Sequence, residues 1–199
     1  MQELHGRFYE QAYRGALFSI GTGASAVSIN NATFTAATLG ATCTPILGVW
    51  NPGTAKVNLV ILQASLSAVL TALTATGPGG FVWASSTGNN AISTGSTPWN
   101  RLTLAQAGSV AKGFAASPAL TGLTNNLVVM EGADLNVGQP YNVSEVATAA
   151  GFMTQPSMAV QNLDGSLIVP PGGVLALLAT TTPVAHSVVG RLLWEEVAL

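Results

Sequence analysis

The side chains of this sequence that could do acid–base, nucleophilic or thiolate chemistry are few and lie far apart. His5 and His186 are the two histidines, and Cys43 is the single cysteine. One cysteine excludes an intramolecular disulfide and a thiolate zinc cluster, so Cys43 is interpreted as a small buried hydrophobe. A Ser–His–acid triad can assemble from distant positions, but an ordinary loop histidine is the commoner explanation of His186. We therefore assign no catalytic residue.

The eight carboxylates do not form a reactive pair either. Glu195 and Glu196 are adjacent on an expected strand, where successive side chains point to opposite faces, so they cannot act together as a glycosidase pair. Glu131 and Asp134 belong to a Glu-Gly-Ala-Asp loop, which could ligate a hard cation together with its carbonyl groups. A solvated turn is the commoner interpretation of such a loop, and we assign no metal site.

A glycine-rich segment, Gly21-x-Gly23-x-x-Ala26, has part of the dinucleotide-binding pattern. That pattern needs a helix that starts at the pyrophosphate and an acidic residue about 20 positions further on. A β-branched run follows instead, and no Asp or Glu occurs between Glu10 and Glu131. The Gly-x-Ser-x-Gly and Gly-Lys-Ser/Thr motifs are also missing from the sequence. We expect no cofactor and no enzyme activity.

Charge is unusually sparse in this chain. Asp, Glu, Lys and Arg make up 7% of the residues and hydrophobic residues 48%, whereas average globular proteins carry roughly 25% charged residues. Because a free monomer usually keeps a charged surface for solubility, this composition favours a chain that hides surface in an assembly. A soluble surface of Ser, Thr and Asn is the alternative. The scattered basic residues and the net charge of −2 argue against a nucleic acid as partner.

Neither a membrane span nor a cleaved leader is predicted. Residues 57–73 form the most apolar stretch, but Asn58 and Gln63 are among the polar residues that interrupt it. The N-terminus lacks an apolar run between a basic start and a small-residue cleavage site, since Glu3 and Arg7 interrupt it. We expect a soluble protein with no membrane partner.

The stretch 158–197 indicates strands separated by turns. Asp164-Gly165 predicts a two-residue hairpin, because both central residues of a type I′ turn need positive φ. Pro170-Pro171-Gly172-Gly173 predicts a second turn. The final strand, 188–197, carries large apolar groups on both faces. We therefore expect its own domain to bury one face and a partner to cover part of the other.

The two faces of that last strand have different predicted roles. Trp194 lies with Val188 and Leu192 on the more apolar face and is expected in the core. The other face carries charges and three apolar residues: Val189, Leu193 and Val197. We predict that these three side chains are only partly covered within one protomer and lie in the interface of a homo-oligomer.

Short strand-like runs bounded by Gly and Pro recur along residues 16–199. The run 56–68 fits a helical stripe as well as a strand, but the turn at 51–54 and the Val/Ile content favour a strand. Many short strands at a spacing of roughly 8–12 residues are typical of a sandwich or barrel. We predict a single-domain, all-β, jelly-roll-like antiparallel β-sandwich over residues 16–199.

Residues 1–15 are predicted to be an N-terminal docking arm. The segment interleaves aromatic and charged side chains, and five of them are expected to bind a partner: Arg7, Phe8, Tyr9, Tyr13 and Arg14. Aromatic and arginine side chains are the usual anchors of protein contacts. Because such a segment cannot form its own core, its deletion is expected to leave the sandwich folded. A frayed terminus is the alternative.

Three segments share a pattern with a known group of proteins. They are Tyr-Arg-Gly-Ala-Leu-Phe at 13–18, Trp-Asn-Pro-Gly-Thr-Ala-Lys at 50–56, and Val-Pro-Pro-Gly-Gly at 169–173 leading to Leu-Trp-Glu-Glu at 193–196. Together they resemble the β-sandwich virion proteins of tailed bacteriophages: capsid decoration (cement) proteins, head fibres and tail knobs. The resemblance implies a jelly-roll-like protomer in the virion, usually homotrimeric and without catalysis, with partners such as the major capsid protein.

Within that group, a capsid decoration protein is our first expectation and a host-receptor (glycan)-binding fibre or tail knob is the alternative. The glycan surface would include Trp83, Trp99 and the polar loop 85–100, because exposed aromatic rings can stack on sugars. Core packing is the competing explanation for both tryptophans.

Overall fold

The computed structural model describes residues 7–23, 27–28, 44–70, 80–88, 90–115, 120–135, 158–180 and 186–199. This part of the chain forms one helix and eleven strands: α1 (Arg7–Tyr13), β1 (Leu17–Gly21), β2 (Val27–Ser28), β3 (Leu47–Trp50), β4 (Val57–Leu70), β5 (Phe81–Ser86), β6 (Trp99–Asn100), β7 (Lys112–Phe114), β8 (Val128–Ala133), β9 (Met158–Val169), β10 (Val174–Ala179) and β11 (His186–Ala198). Among these residues no helix has the length and apolarity that a membrane crossing requires.

Two antiparallel sheets pack face to face. Sheet A has the order β6-β1-β11-β4-β9, with β2 also paired to β11, and sheet B has the order β7-β3-β10-β5-β8. One hydrophobic core takes side chains from both sheets. The prediction of an all-β antiparallel sandwich is therefore confirmed.

Trp194 lies in that core, as predicted. Its side chain is fully buried together with those of Val188 and Leu192. The indole ring stacks on Phe18 of the neighbouring strand β1, with ring centroids 6.5 Å apart. The alternation of β11 therefore aims its more apolar face between the sheets.

The run 56–68 forms a strand, and the helical alternative is wrong. Strand β4 spans Val57–Leu70 and pairs with both β11 and β9. Its buried residues Leu59, Ile61, Ala64 and Leu66 face the core. The strand prevails because its central position gives it hydrogen-bonding partners along both edges, whereas a lone helix would bury only one stripe.

Asp164-Gly165 does not make the predicted hairpin. Both residues have positive φ, 47° and 86°, but β9 continues through them. Its two halves both pair with β4, where the register passes from Ile61↔Leu167 to Gln63↔Asn162. Positive φ serves a bulge as well as a tight turn. The flanking apolar runs pair with β4 and not with each other, so the dipeptide bends the strand without reversing it.

The turns predicted at 51–54 and 170–173 are confirmed, and a buried asparagine joins them. Asn51 donates from Nδ2 to the carbonyls of Val57 (2.8 Å) and Val169 (3.0 Å). The backbone carbonyl of Asn51 accepts a hydrogen bond from the N–H of Gly172, with an N–O distance of 2.7 Å. The second turn carries the chain from β9 in sheet A to β10 in sheet B.

Candidate partner-binding face

Chemistry-bearing side chains do not converge in the described part of the chain. No three His, Cys, Asp or Glu residues within it are placed to hold a metal ion. Glu195 and Glu196 lie apart, as predicted: Glu195 accepts a hydrogen bond from Gln11 of α1, and Glu196 accepts one from Ser109. His5 and Cys43 lie outside the described residues.

The outward side of sheet A instead carries an apolar surface. Strands β11, β4 and β9 lie side by side, and their register aligns Val189, Ser67 and Met158 in one row across the sheet. Alternation points every second side chain of these strands away from the core. Six outward apolar side chains are half-buried or exposed: Val60, Met158, Val160, Ile168, Val189 and Val197. We call these six residues the outer face.

A polar row crosses the middle of the outer face. Arg191 donates from Nη2 to Gln63 Oε1 at 2.5 Å, and Gln63 donates from Nε2 to Asn162 Oδ1 at 2.9 Å. Burial, and then the positive charge of Arg101, lower the pKa of Arg191. The row joins β11, β4 and β9, so the outer face combines apolar groups with side chains already oriented by hydrogen bonds.

The expectation that Leu193 is only partly covered within one protomer is wrong. Leu193 is 5% exposed and clusters with Leu17 and Leu62, against which Ala12 of α1 packs. Gln11 adds a hydrogen bond of 2.6 Å from Nε2 to Glu195 Oε2. The helix covers the centre of sheet A because a bulge in β4 turns the extra residue Leu62 outward beside Leu193.

Val189 and Val197 do stay open, each at 39% exposure, as the sequence predicts for that face. Sequence reasoning missed Met158, Val160 and Ile168 of the neighbouring strand β9. The available signal was the same as in β11: both alternating faces of 158–168 carry large apolar residues.

The predicted docking arm is partly helical. Tyr9 and Tyr13 are 51% and 71% exposed, and their rings stack with centroids 6.2 Å apart. Arg14 lies 4.0 Å from Glu10 in an exposed i,i+4 pair. Arg7 and Phe8 belong to α1, but their side chains lie outside the described residues. One side of the helix thus packs on its own sheet, while the two tyrosines face away from that contact.

The two tryptophans proposed for a glycan surface separate. Trp83 is fully buried and donates from Nε1 to Gln161 Oε1 at 3.0 Å, so it belongs to the core. Trp99 is 45% exposed. Buried Asn90 holds part of the loop 85–100 in place, because its side chain bonds Gly172 O and Thr124 N.

The surroundings of Glu196 oppose the ionisation of its side-chain carboxyl group. Burial raises the pKa of its carboxyl, and hydrogen bonds from Ser109 and other neighbouring groups offset part of that rise. The folded protein therefore holds a proton at pH values where the unfolded chain has lost it. The free energy of unfolding contributed by this group is greatest below the ordinary glutamate value of 4.5 and falls as pH rises through the raised pKa.

We expect Glu196→Gln to remove this pH-dependent part of the stability. Urea unfolding near about pH 4, below the ordinary glutamate value of 4.5, and near about pH 7, above the range in which most glutamates titrate in folded proteins, should show a smaller loss of stability with rising pH in the variant than in the natural chain. Glu131→Gln, at an exposed position, is the matched control and should keep the natural slope. An unchanged slope in Glu196→Gln would contradict the buried carboxyl.

Comparison with known proteins found no match to this chain among family models, curated proteins or solved structures.

Proposed function

We propose that the protein is a non-enzymatic structural protein of a tailed-phage virion, which decorates or cements the capsid as a homo-oligomer. The observation that carries the proposal is the outer face, a set of half-buried and exposed apolar side chains on sheet A, in a chain with only 7% charged residues. A face of this kind suits permanent coverage by another protein.

The strand order supports the jelly-roll assignment. The two sheets contain the runs β1-β11-β4-β9 and β3-β10-β5-β8. In chain order these eight strands alternate between the sheets except at β5 and β8, which stay together in sheet B. Two interleaved Greek keys give this order, and jelly rolls of this type occur in viral capsid domains.

The outer face and the exposed side of α1 together form the proposed docking surface for the capsid shell. Tyr9 and Tyr13 contribute aromatic contact area at low conformational cost. Arg191 is held in place by Gln63 and offers further N–H donors. Apolar area, aromatic rings and an oriented arginine are the combination found at the centre of protein interfaces.

The proposal is tested by removing apolar contact from one row of the outer face. Met158 and Val189 are exposed, so Met158→Asp with Val189→Asp should leave the fold intact. We expect binding to particles stripped of this protein to weaken by at least about tenfold, since interface hot spots exceed the 1.4 kcal/mol that corresponds to tenfold. Co-sedimentation with stripped particles measures the effect.

Ala91→Asp, at an exposed position away from sheet A, is the control and should bind as the natural chain does. Full-strength binding by the double variant would rule out the outer face as the docking surface. Failure of the natural protein to bind any particle would instead count against the virion role. The glycan-binding alternative retains Trp99 as its exposed aromatic residue, and labelling of intact particles would then place the protein on a fibre or tail.

A further inference from the structure

Among the described residues, the sandwich ends in two edges that differ from each other. Strands β8 and β9 end their sheets on one side, and β6 and β7 end them on the other. Nine of the fourteen exposed large apolar residues in the described chain lie at these edges: Val128, Met130, Met158, Val160 and Ile168 at the first, and Trp99, Leu102, Leu104 and Val110 at the second. A long apolar edge strand such as β9, with twelve residues, invites association unless something covers it.

The first edge contains a cleft between the two sheets. Its volume is about 250 Å³, and its lining includes Met130 of β8 and Ile168 of β9, with Leu167, Val169 and Pro170 beside them. An apolar cavity of about 150 Å³ already holds a benzene molecule. The cleft therefore has room for one aliphatic side chain.

The second edge presents such a side chain. Leu104 lies in the loop between β6 and β7, is 70% exposed and has φ of 57°. A leucine in the left-handed region is strained, since Cβ crowds the backbone there. Asn100 holds the loop in this form: its carbonyl accepts the N–H of Leu104, and its Oδ1 accepts those of Leu102 and Thr103. An exposed leucine is thus fixed outward at a cost in backbone energy.

The two edges also carry opposite charges. Exposed Glu131 and Asp134 lie on and just after β8, whereas Arg101 follows β6 and Lys112 begins β7. Two copies of one edge placed together would repel each other through like charges, while unlike edges attract. The contact that both charge and shape favour joins different edges of two molecules.

We propose that copies of this chain associate head to tail, with Leu104 of one copy inserted into the β8/β9 cleft of the next. Arg101 and Lys112 then face Glu131 and Asp134 across the contact. Such a heterologous contact forms a ring when the rotation closes. The inference rests on the proposed function only in taking the partner to be a second copy. The cleft shares Ile168 with the outer face, and the tests below leave that residue unchanged.

The test uses two full-length variants, each defective at one edge. Leu104→Gly removes the inserted side chain and also relieves the strained φ, so it should fold at least as well as the natural chain. Met130→Asp places a charge in the cleft at a residue that is 51% exposed. Light scattering at micromolar concentration should find the natural chain oligomeric and each variant alone monomeric.

Mixing the two variants should give a 1:1 heterodimer and nothing larger. Met130→Asp still supplies Leu104, and Leu104→Gly still supplies the cleft, so one contact per pair survives. An oligomeric Leu104→Gly variant, a monomeric natural chain, or a mixture that stays monomeric would each overturn the proposal. Ala91→Asp, at an exposed position outside the four edge strands and the cleft lining, is the control and should remain oligomeric.

A charge reversal tests the polar part of the contact separately. Arg101→Glu and Asp134→Arg should each weaken self-association by about tenfold or more, and the double variant should recover most of that loss. If the two substitutions weakened self-association additively, Arg101 and Asp134 would not face each other across the contact. Particle binding through the outer face is measured in a separate assay, by co-sedimentation. If that binding fails, light scattering still detects a head-to-tail oligomer.

Discussion

Trp194→Ala is expected to destabilise the protein more than any other single substitution considered for this chain. The indole is fully buried between the sheets and stacks on Phe18. Truncating a buried Trp to Ala costs about 3–5 kcal/mol, because the transfer free energy is lost and a cavity remains. At about 2–4 °C per kcal/mol for a domain of this size, the melting temperature should fall by roughly 6–20 °C.

Thermal unfolding followed by far-UV circular dichroism measures this loss. Tyr13→Ala is the control, because Tyr13 is 71% exposed and surface truncations stay within about 0.5 kcal/mol. A shift of only one or two degrees in Trp194→Ala would mean that the more apolar face of β11 does not point into the core.

Ala12→Asp is expected to have the second largest effect. Ala12 packs against the cluster of Leu17, Leu62 and Leu193, whose members are all apolar. A carboxylate placed there would lose its hydrogen bonds to water and gain none from these side chains. Placing the charge there should lift α1 from sheet A and expose leucines, each of which contributes about 1.5–3 kcal/mol when fully buried. We expect a loss of about 2–4 kcal/mol.

Tyr13→Asp is the matched control for this substitution. It places the same acid in the same helical turn, at an exposed position, so it shares the cost in helix propensity but not the contact with the leucines. Deletion of residues 1–14 should destabilise the chain as Ala12→Asp does, contrary to what the sequence alone predicts for a docking arm. Equal melting temperatures for the Ala12→Asp and Tyr13→Asp variants would show that α1 does not stabilise the sandwich.

Local patterns of the sequence predicted the elements whose cause is local. The alternation in 188–197 placed Trp194 inside because a strand of period two has one possible inner face once its larger apolar groups are known. The turns at 51–54 and 170–173 followed from the fixed φ of proline and the freedom of glycine. Both kinds of signal depend on residues that are neighbours in the chain.

Tertiary structure decided where those elements meet. Asp164-Gly165 took the positive φ that its residue types favour, but only the common pairing of both flanking runs with β4 made it a bulge. Leu193 had the alternation of an outward residue, yet α1, about 180 positions earlier in the chain, covers it through Ala12. The same holds for the β8/β9 cleft and for Leu104, because strand order sets which edges stay open, and no local periodicity encodes the order of strands.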